Sequence, residues 1–473
     1  MATKNQKNLK IGGNISQKVP LKKKFTFASG MFGTQIYNST QAGSTAWFWL
    51  NIMGVDNIAY SIVMLVFYNL WNAINDPIFG WASDNTRTKW GRRVPYIRFV
   101  SPIWFVANVF LFFPLVNTEF SLIIWFSIWI LVFDGCYTIV ANSYNSLLGE
   151  LSYDTTERAS INTLAMVLGL LGNAVGLGVP LLVKENLYVF QTFIVIGGLI
   201  GLTALLVPGF FIKERSIPPV ETPLNLITAL KASVKNRTFL AACGWYFAIE
   251  FTGAILLANV IFYATFILGA TGWNAILLML FFLLANIPGF IMFAKFQSKH
   301  GIRTTAYIST IIYAFGMLGL LFAQEYWQVA ATLALAGFGI AGPFIVNNVM
   351  TVEAADYDEI RTNRRREAMF FGTHSLLTKP AIGLAQAILA TTLLVTGFVK
   401  DTVSPSTGQV THYPQTAEAL LGIRLIMGLF PFLMLIIVGL ISLYFYPSSK
   451  ETKEMKKQLS IIQSKKLETK PLS

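Results

Sequence analysis

The sequence predicts an all-α membrane protein of twelve transmembrane helices in two six-helix bundles, and three observations predict it. The chain of 473 residues is 54% hydrophobic and only 12% charged, where soluble domains carry roughly 25% charged residues. Apolar stretches long enough to cross about 30 Å of hydrocarbon recur along its whole length. Its lysines and arginines fall in alternate loops, a pattern that repeated crossing of a membrane explains.

The apolar stretches occupy residues 25–50, 57–82, 95–116, 121–147, 161–183, 189–212, 239–267, 273–294, 304–323, 327–349, 369–396 and 420–446. Residues 1–24 are polar and basic. The run after them exceeds the roughly 7–15 residues of a signal-peptide core, so it is expected to remain as the first span. Of the 36 lysines and arginines, 32 lie in the two tails and the alternate loops, while the opposite loops carry only Lys184 and Lys400. Positive charge marks the cytoplasmic side, so both tails, 1–24 and 447–473, are expected in the cytoplasm of a multi-pass cell-membrane protein.

The middle loop, 213–238, contains Pro218, Pro219 and Pro223 and then a mixed stretch, Leu224 to Val234, that suits a short amphipathic helix on the membrane surface. It divides a first bundle, 25–212, from a second, 239–446. The loop 397–419 is rich in Thr, Ser, Pro and Gly and reads as an exposed turn region. Faint internal repetition supports two halves: GELSYDTTERAS after the fourth span matches VEAADYDEIRTNRRREA after the tenth, each acidic first and basic after.

Other functional classes find little support. The net charge of +13 would suggest nucleic-acid binding in a soluble protein, but here topology accounts for it and no nucleic-acid partner is expected. Cys136 and Cys243 lie inside apolar runs and read as neither disulfide partners nor metal ligands. His300 and His412 are in loops and His374 is near a helix end, without the spacing of a metal or nucleophile site. No enzymatic activity and no cofactor are expected. Gly169, Gly172, Gly176 and Gly178 follow no strand, so they read as close helix packing and not as a nucleotide loop.

Ionisable groups in mid-membrane cost at least about 2.5–3.5 kcal/mol each, so each needs a partner or a task. Asp76, Asp134, Glu250 and Lys379 are the candidates. Polar stripes accompany them: Thr34, Asn38, Gln41 and Thr45 share one face of the first helix, and Asp134, Thr138 and Asn145, with Asn142 beside them, mark the fourth. Such stripes suit a water-filled cavity, which Phe344, Asn347 and Asn348 on the tenth helix would complete. At the cytoplasmic face, Asp84, Arg92, Arg93, Glu150, Arg158, Glu353 and Asp356 are suited to salt bridges that hold one access state shut.

The run NAINDPIFGWASDNTRTKWGRRVPY at 72–96 resembles the glycoside-pentoside-hexuronide:cation symporters of the major facilitator superfamily. YTIVANSYNSLLGELSYDTTER at 137–158, ADYDEIRTNRRREA at 355–368 and LLTKP at 376–380 extend the resemblance over nearly the whole chain. It implies a cation site at Asn75, Asp76 and Thr138, with Asn72 where the family has a second carboxylate. It also implies that Lys379 serves both cation and sugar. The charged groups that anchor galactosides in the family are replaced by Gln35, Ala141 and Met166, so galactosides of the melibiose type are not expected as substrates.

The resemblance therefore implies a secondary active transporter, a cation-coupled symporter working as a monomer by alternating access. Its solute would be small and polar, a sugar or glycoside first, with H+ or Na+ as coupling ion. A carrier of lysophospholipids or another amphiphile is the alternative within the family, and a non-transporting membrane receptor is the alternative from another class. Lys379 is expected to pair with Asp76. Asp134, one turn before Thr138, is expected to face helix 2 and restore the missing carboxylate.

Overall fold

The computed structural model describes residues 19–72, 74–75, 78–79, 86, 88–91, 93–151, 155–212, 235–270, 272–362, 367–448, 450–452, 454–455 and 457–458. Among these, twelve helical elements follow the predicted spans. They are α1 (Leu21–Ala46, continuing as Trp47–Ile52), α2 (Asn57–Ile62, continuing as Val63–Tyr68), α3 (Val94–Phe112), α4 (Glu119–Leu151), α5 (Thr155–Val183) and α6 (Leu187–Phe211). The second half holds α7 (Arg237–Phe262, continuing as Tyr263–Ile267), α8 (Trp273–His300), α9 (Ile302–Phe322), α10 (Tyr326–Thr362), α11 (Glu367–Thr378 and Pro380–Val395) and α12 (Ala417–Arg424, continuing to Tyr444). Ten are long and apolar enough to cross a membrane. In hydrocarbon only such a continuous helix satisfies its own backbone. The middle loop from 213 to 234, with its expected surface helix, lies outside the described residues.

Helix starts carry local signals. The side chains of Asp56, Asn186, Asn236 and Thr416 accept hydrogen bonds from the first free N–H groups of α2, α6, α7 and α12. The continuations of α1, α2, α7 and α12 are wide, π-helical turns, which re-aim the side chains beyond them. Pro380 has no N–H to offer, so α11 is interrupted in mid-span at Lys379.

Within the halves, α1 packs against α5 and α6, and α10 against α8 and α9. Small residues make this close approach possible where the hydrophobic effect gives no drive. A Cβ at Gly176 of α5 would stand 2.7 Å from the Ile36 carbonyl of α1, and one at Gly289 of α8 would stand 2.7 Å from the Phe338 carbonyl of α10. Gly169 and Gly172 abut α1 in the same way, whereas Gly178 faces Ile276 of α8.

The halves meet along α2–α11, α5–α8 and α1–α7. At the end opposite the termini they are joined by hydrogen bonds. The Asn57 amide donates to the Ala390 carbonyl at 2.9 Å, and the Tyr60 hydroxyl donates to Gln386 at 2.8 Å. The segment 397–419 is largely exposed, as expected of a turn region, and its Thr402–Val403 and Val410–Thr411 pair with each other in a short antiparallel hairpin.

These contacts predict opposite signs for two glycine changes. Gly176→Val should destabilise the detergent-solubilised protein by roughly 1–3 kcal/mol, the usual cost of overpacking. Gly253→Ala, whose new methyl meets nothing within 4 Å, should be neutral or stabilising by up to about 1 kcal/mol. Thermal unfolding of the two variants beside the parent measures both.

Candidate functional site

The site is built from two polar clusters, one in each half. In the first half the wide turn of α2 ends at Tyr68 and brings its hydroxyl to Asp134 of α4, to which it donates at 3.0 Å. Two turns further along α2, the Asn75 amide donates to the other Asp134 oxygen at 2.6 Å. Asp134 thus faces α2 and is only 4% exposed. Asn72 is buried too, and its amide donates to the Tyr68 carbonyl at 3.2 Å.

Two oxygens in this cluster have no hydrogen-bond partner among the described residues. Asn75 spends its amide N–H on Asp134, which leaves its Oδ1 buried and unmatched, and the buried Thr138 hydroxyl, one turn from Asp134, is unmatched as well. A carboxylate, an amide oxygen and a hydroxyl are hard oxygen donors, and that set fits a small cation or a proton. Asp76 lies outside the described residues, so the structure does not describe its separation from Asp134 or from Lys379.

In the second half, Tyr246 and Glu250 stand one turn apart on α7 with their polar groups close together. Lys379, at the interruption of α11, lies within electrostatic reach of Glu250. His374 packs its ring 5.2 Å from that of Tyr246, and its buried Nε2 has no partner among the described residues. Tyr137 of α4 lies near both Tyr68 and Tyr246. The ring that meets His374 comes from a distant helix, a contact that spacing in the sequence does not reveal.

The remaining expected residues divide. Asn142 and Asn145 are exposed on the face of α4 that also carries Asp134 and Thr138, and Phe344 and Asn348 are exposed one turn apart on α10. The amides of Asn145 and Asn348 would go unsatisfied against lipid, so their exposure suits a polar opening toward the terminal end. Asn38 and Asn347 are half-buried. Thr34 departs from the expected substrate stripe, since its buried hydroxyl turns back to the Gly30 carbonyl at 2.8 Å. Gln41 is likewise buried, with its amide 3.4 Å from Thr45 of the same helix. Gln35 lies against Gly169 and Gly172 of α5.

Of the expected gate residues, Asp84 and Arg92 lie outside the described residues, as do the side chains of Glu150 and Arg158. Arg93 precedes α3, and Asp356 is half-buried. Glu353 is buried and accepts from the Tyr446 hydroxyl at 2.9 Å, a contact within one half and not across the gate. Lys24 pairs with Glu157 at 2.9 Å within the other half, an ion pair the sequence reading did not anticipate.

A family model described as MFS/sugar transport protein matches residues 26–450. The chain belongs to that family. Members are multi-pass membrane transporters, and the twelve-helix, two-bundle architecture is theirs. Among its relatives, the glucuronide carrier protein homolog of Escherichia coli is 21% identical, over 86% of this chain and 88% of that protein. The sodium-dependent lysophosphatidylcholine symporter 1 of Gallus gallus is also 21% identical, over 86% of this chain and 83% of that protein. Among solved structures, a point mutant of the nucleoside transporter NupG superposes with a TM-score of 0.61 at 12% identity, covering 90% of this chain and all of that one. A bacterial homologue of the lysosomal transporter Spinster, described as inward-facing, gives 0.59 at 15% identity over 94% of this chain and 99% of that one.

The unmatched oxygens around Asp134 yield a prediction that needs no transported solute. Thr138→Ala removes one donor without stranding a charge, and should weaken stabilisation by Na+ or by acid by roughly 10-fold in concentration, the equivalent of about 1.4 kcal/mol. Titration of the melting temperature with NaCl, against choline chloride, and with pH checks it, while the melting temperature without added cation stays near that of the parent.

Proposed function

We propose that the chain is a cation-coupled symporter for a small polar solute of the sugar or glycoside class, working as a monomer by alternating access with both termini in the cytoplasm. The observation that carries this reading is that each half buries ionisable groups, Asp134 beside the unmatched oxygens of Asn75 and Thr138 in one and Glu250 near Lys379 in the other. Placing the cation at Asp134, Asn75 and Thr138 and the solute between Tyr137, Tyr246, Glu250 and Lys379 lets one occupant change the field felt by the other. Linkage then makes the coupling reciprocal.

A polar solute is favoured over an amphiphile by the asparagines of the opening. Asn145 and Asn348 are exposed there, and such amides match sugar hydroxyls whereas an acyl chain would leave them unpaired. The printed function of the Escherichia coli relative, a glucuronide carrier, supports the same class. The lysophosphatidylcholine symporter among the relatives supplies the competing arm of the test. The basic residues concentrated at the terminal end support a cytoplasmic placement of that end. Lys379 holds Glu250 in this account, and removing its charge uncouples the two clusters.

Reconstituted proteoliposomes should accumulate a glucuronide or pentoside from a panel when an inward Na+ or H+ gradient is imposed, and should not accumulate lysophosphatidylcholine. Melibiose should show no tight binding by calorimetry. Lys379→Ala should lower gradient-driven uptake at least 10-fold. Transport of lysophosphatidylcholine alone, or full coupling in Lys379→Ala, would overturn the assignment.

A further inference from the structure

The segment between α11 and α12 belongs to the second half of the chain but is docked on the first. The Leu187 N–H donates to the Gly408 carbonyl at 2.7 Å and the Val410 N–H donates to the Glu185 carbonyl at 2.9 Å, which makes Asn186 and Gln409 antiparallel partners. The Asn186 amide adds a bond to the Thr407 carbonyl at 3.1 Å, and the Tyr188 hydroxyl donates to the Pro405 carbonyl. The short loop between α5 and α6 therefore joins the hairpin through an isolated antiparallel bridge.

Charged groups complete the junction. Asp401, with a side chain fully shielded from solvent, accepts from the Asn51 amide at the end of α1 at 2.6 Å, and its N–H donates back to Asn51 at 2.9 Å. The His412 ring lies between two carboxylates, with Nδ1 2.7 Å from Asp401 and Nε2 2.9 Å from Glu185. Its edge meets Phe266 of α7 at 5.8 Å between centroids. Lys184 is buried and pairs with Glu185 at 2.6 Å, while Lys400 donates to the carbonyls of Gly54 and Val55 at 2.9 and 3.1 Å. Asp56 and Glu119 lie within electrostatic reach of Lys400. The two basic residues of the loops at this end are thus both spent on the junction.

We propose that this hairpin is a strap that latches the mouth opposite the termini, and that the Glu185–His412–Asp401 bridge is its lock. Its contacts with α1, the loop after α1 and the loop between α5 and α6 all join one half to the other, and alternating access requires the halves to part there. This rests on the proposed alternating access, but the geometry can be read without any solute. Only an imidazolium donates from both ring nitrogens, so a neutral ring satisfies one carboxylate and turns a lone pair toward the other.

Burial alone would lower the pKa of His412, but the hydrogen bonds to Asp401 and Glu185 prevail and raise it from 6.5 to about 9. The His412 hydrogen bond, aided by Lys184 against the effect of burial, lowers Glu185 from 4.5 to about 2. A raised imidazole pKa stabilises the closed strap fully below 6.5 and loses that stabilisation as pH rises through about 9. The depressed carboxylate contributes fully above 4.5 and is lost only as pH falls through about 2. The lock is therefore shut at neutral pH and released by alkali.

Spin labels on the exposed positions Asn117 and Glu325, at this end of opposite halves, report the separation by pulsed electron resonance on the full chain in nanodiscs. The buried Cys136 and Cys243 do not compete for label. The parent at pH 7 should give one short distance, and His412→Gln, Glu185→Gln or the parent at pH 9.5 should each raise a longer-distance fraction several-fold. The double substitution should add nothing to either single one. If His412→Gln fails to fold, Glu185→Gln and the pH titration of the parent decide. An unchanged short distance in these conditions would overturn the proposal.

Discussion

A carboxylate in the middle of a membrane protein must be matched on every side, and Asp134 organises its surroundings accordingly. Its two oxygens accept from Tyr68 and Asn75, both from α2, so keeping α2 and α4 in register offsets part of the cost of burying the charge. The wide turn of α2 ends at Tyr68 and serves that register by re-aiming the hydroxyl. The same arrangement leaves the Asn75 and Thr138 oxygens unmatched. The contacts that hold α2 against α4 and the oxygens proposed to receive a cation therefore belong to one cluster.

The second half answers with the opposite strategy. Pro380 breaks α11 beside Lys379, and the cationic side chain works on Glu250 from a helix with a weakened backbone ladder. On the far side of this interruption, α11 presses so closely on α2 that a Cβ on Gly383 would meet the Asn69 side chain at 2.6 Å. The helix that carries Lys379 is thus also a principal contact between the halves. In the proposed mechanism, a change in the charge balance around Lys379 would reach the seam through that one element.

Much of the fold was legible because the bilayer imposes it: spans must be long, apolar and helical, and the loops record their side by charge. The capping residues Asn186 and Thr416 were legible in principle for the same local reason. Asp134 and Thr138 were legible as a pair through helical spacing. What failed was whatever depends on partners remote in sequence. Glu185 and His412 are separated by 227 positions, so a histidine in a polar loop carried no sign of its two carboxylates. On α1, Thr34 satisfies its hydroxyl on its own helix, a choice that spacing cannot reveal.

The account stands most directly on Asp134 as the group through which a cation drives the solute. The decisive measurement compares gradient-driven accumulation with equilibrium exchange in proteoliposomes bearing Asp134→Asn, using the solute that the parent accumulates. Exchange should persist, because the solute cluster and the fold are intact, while accumulation against a gradient should be lost. Accumulation equal to that of the parent would contradict the account.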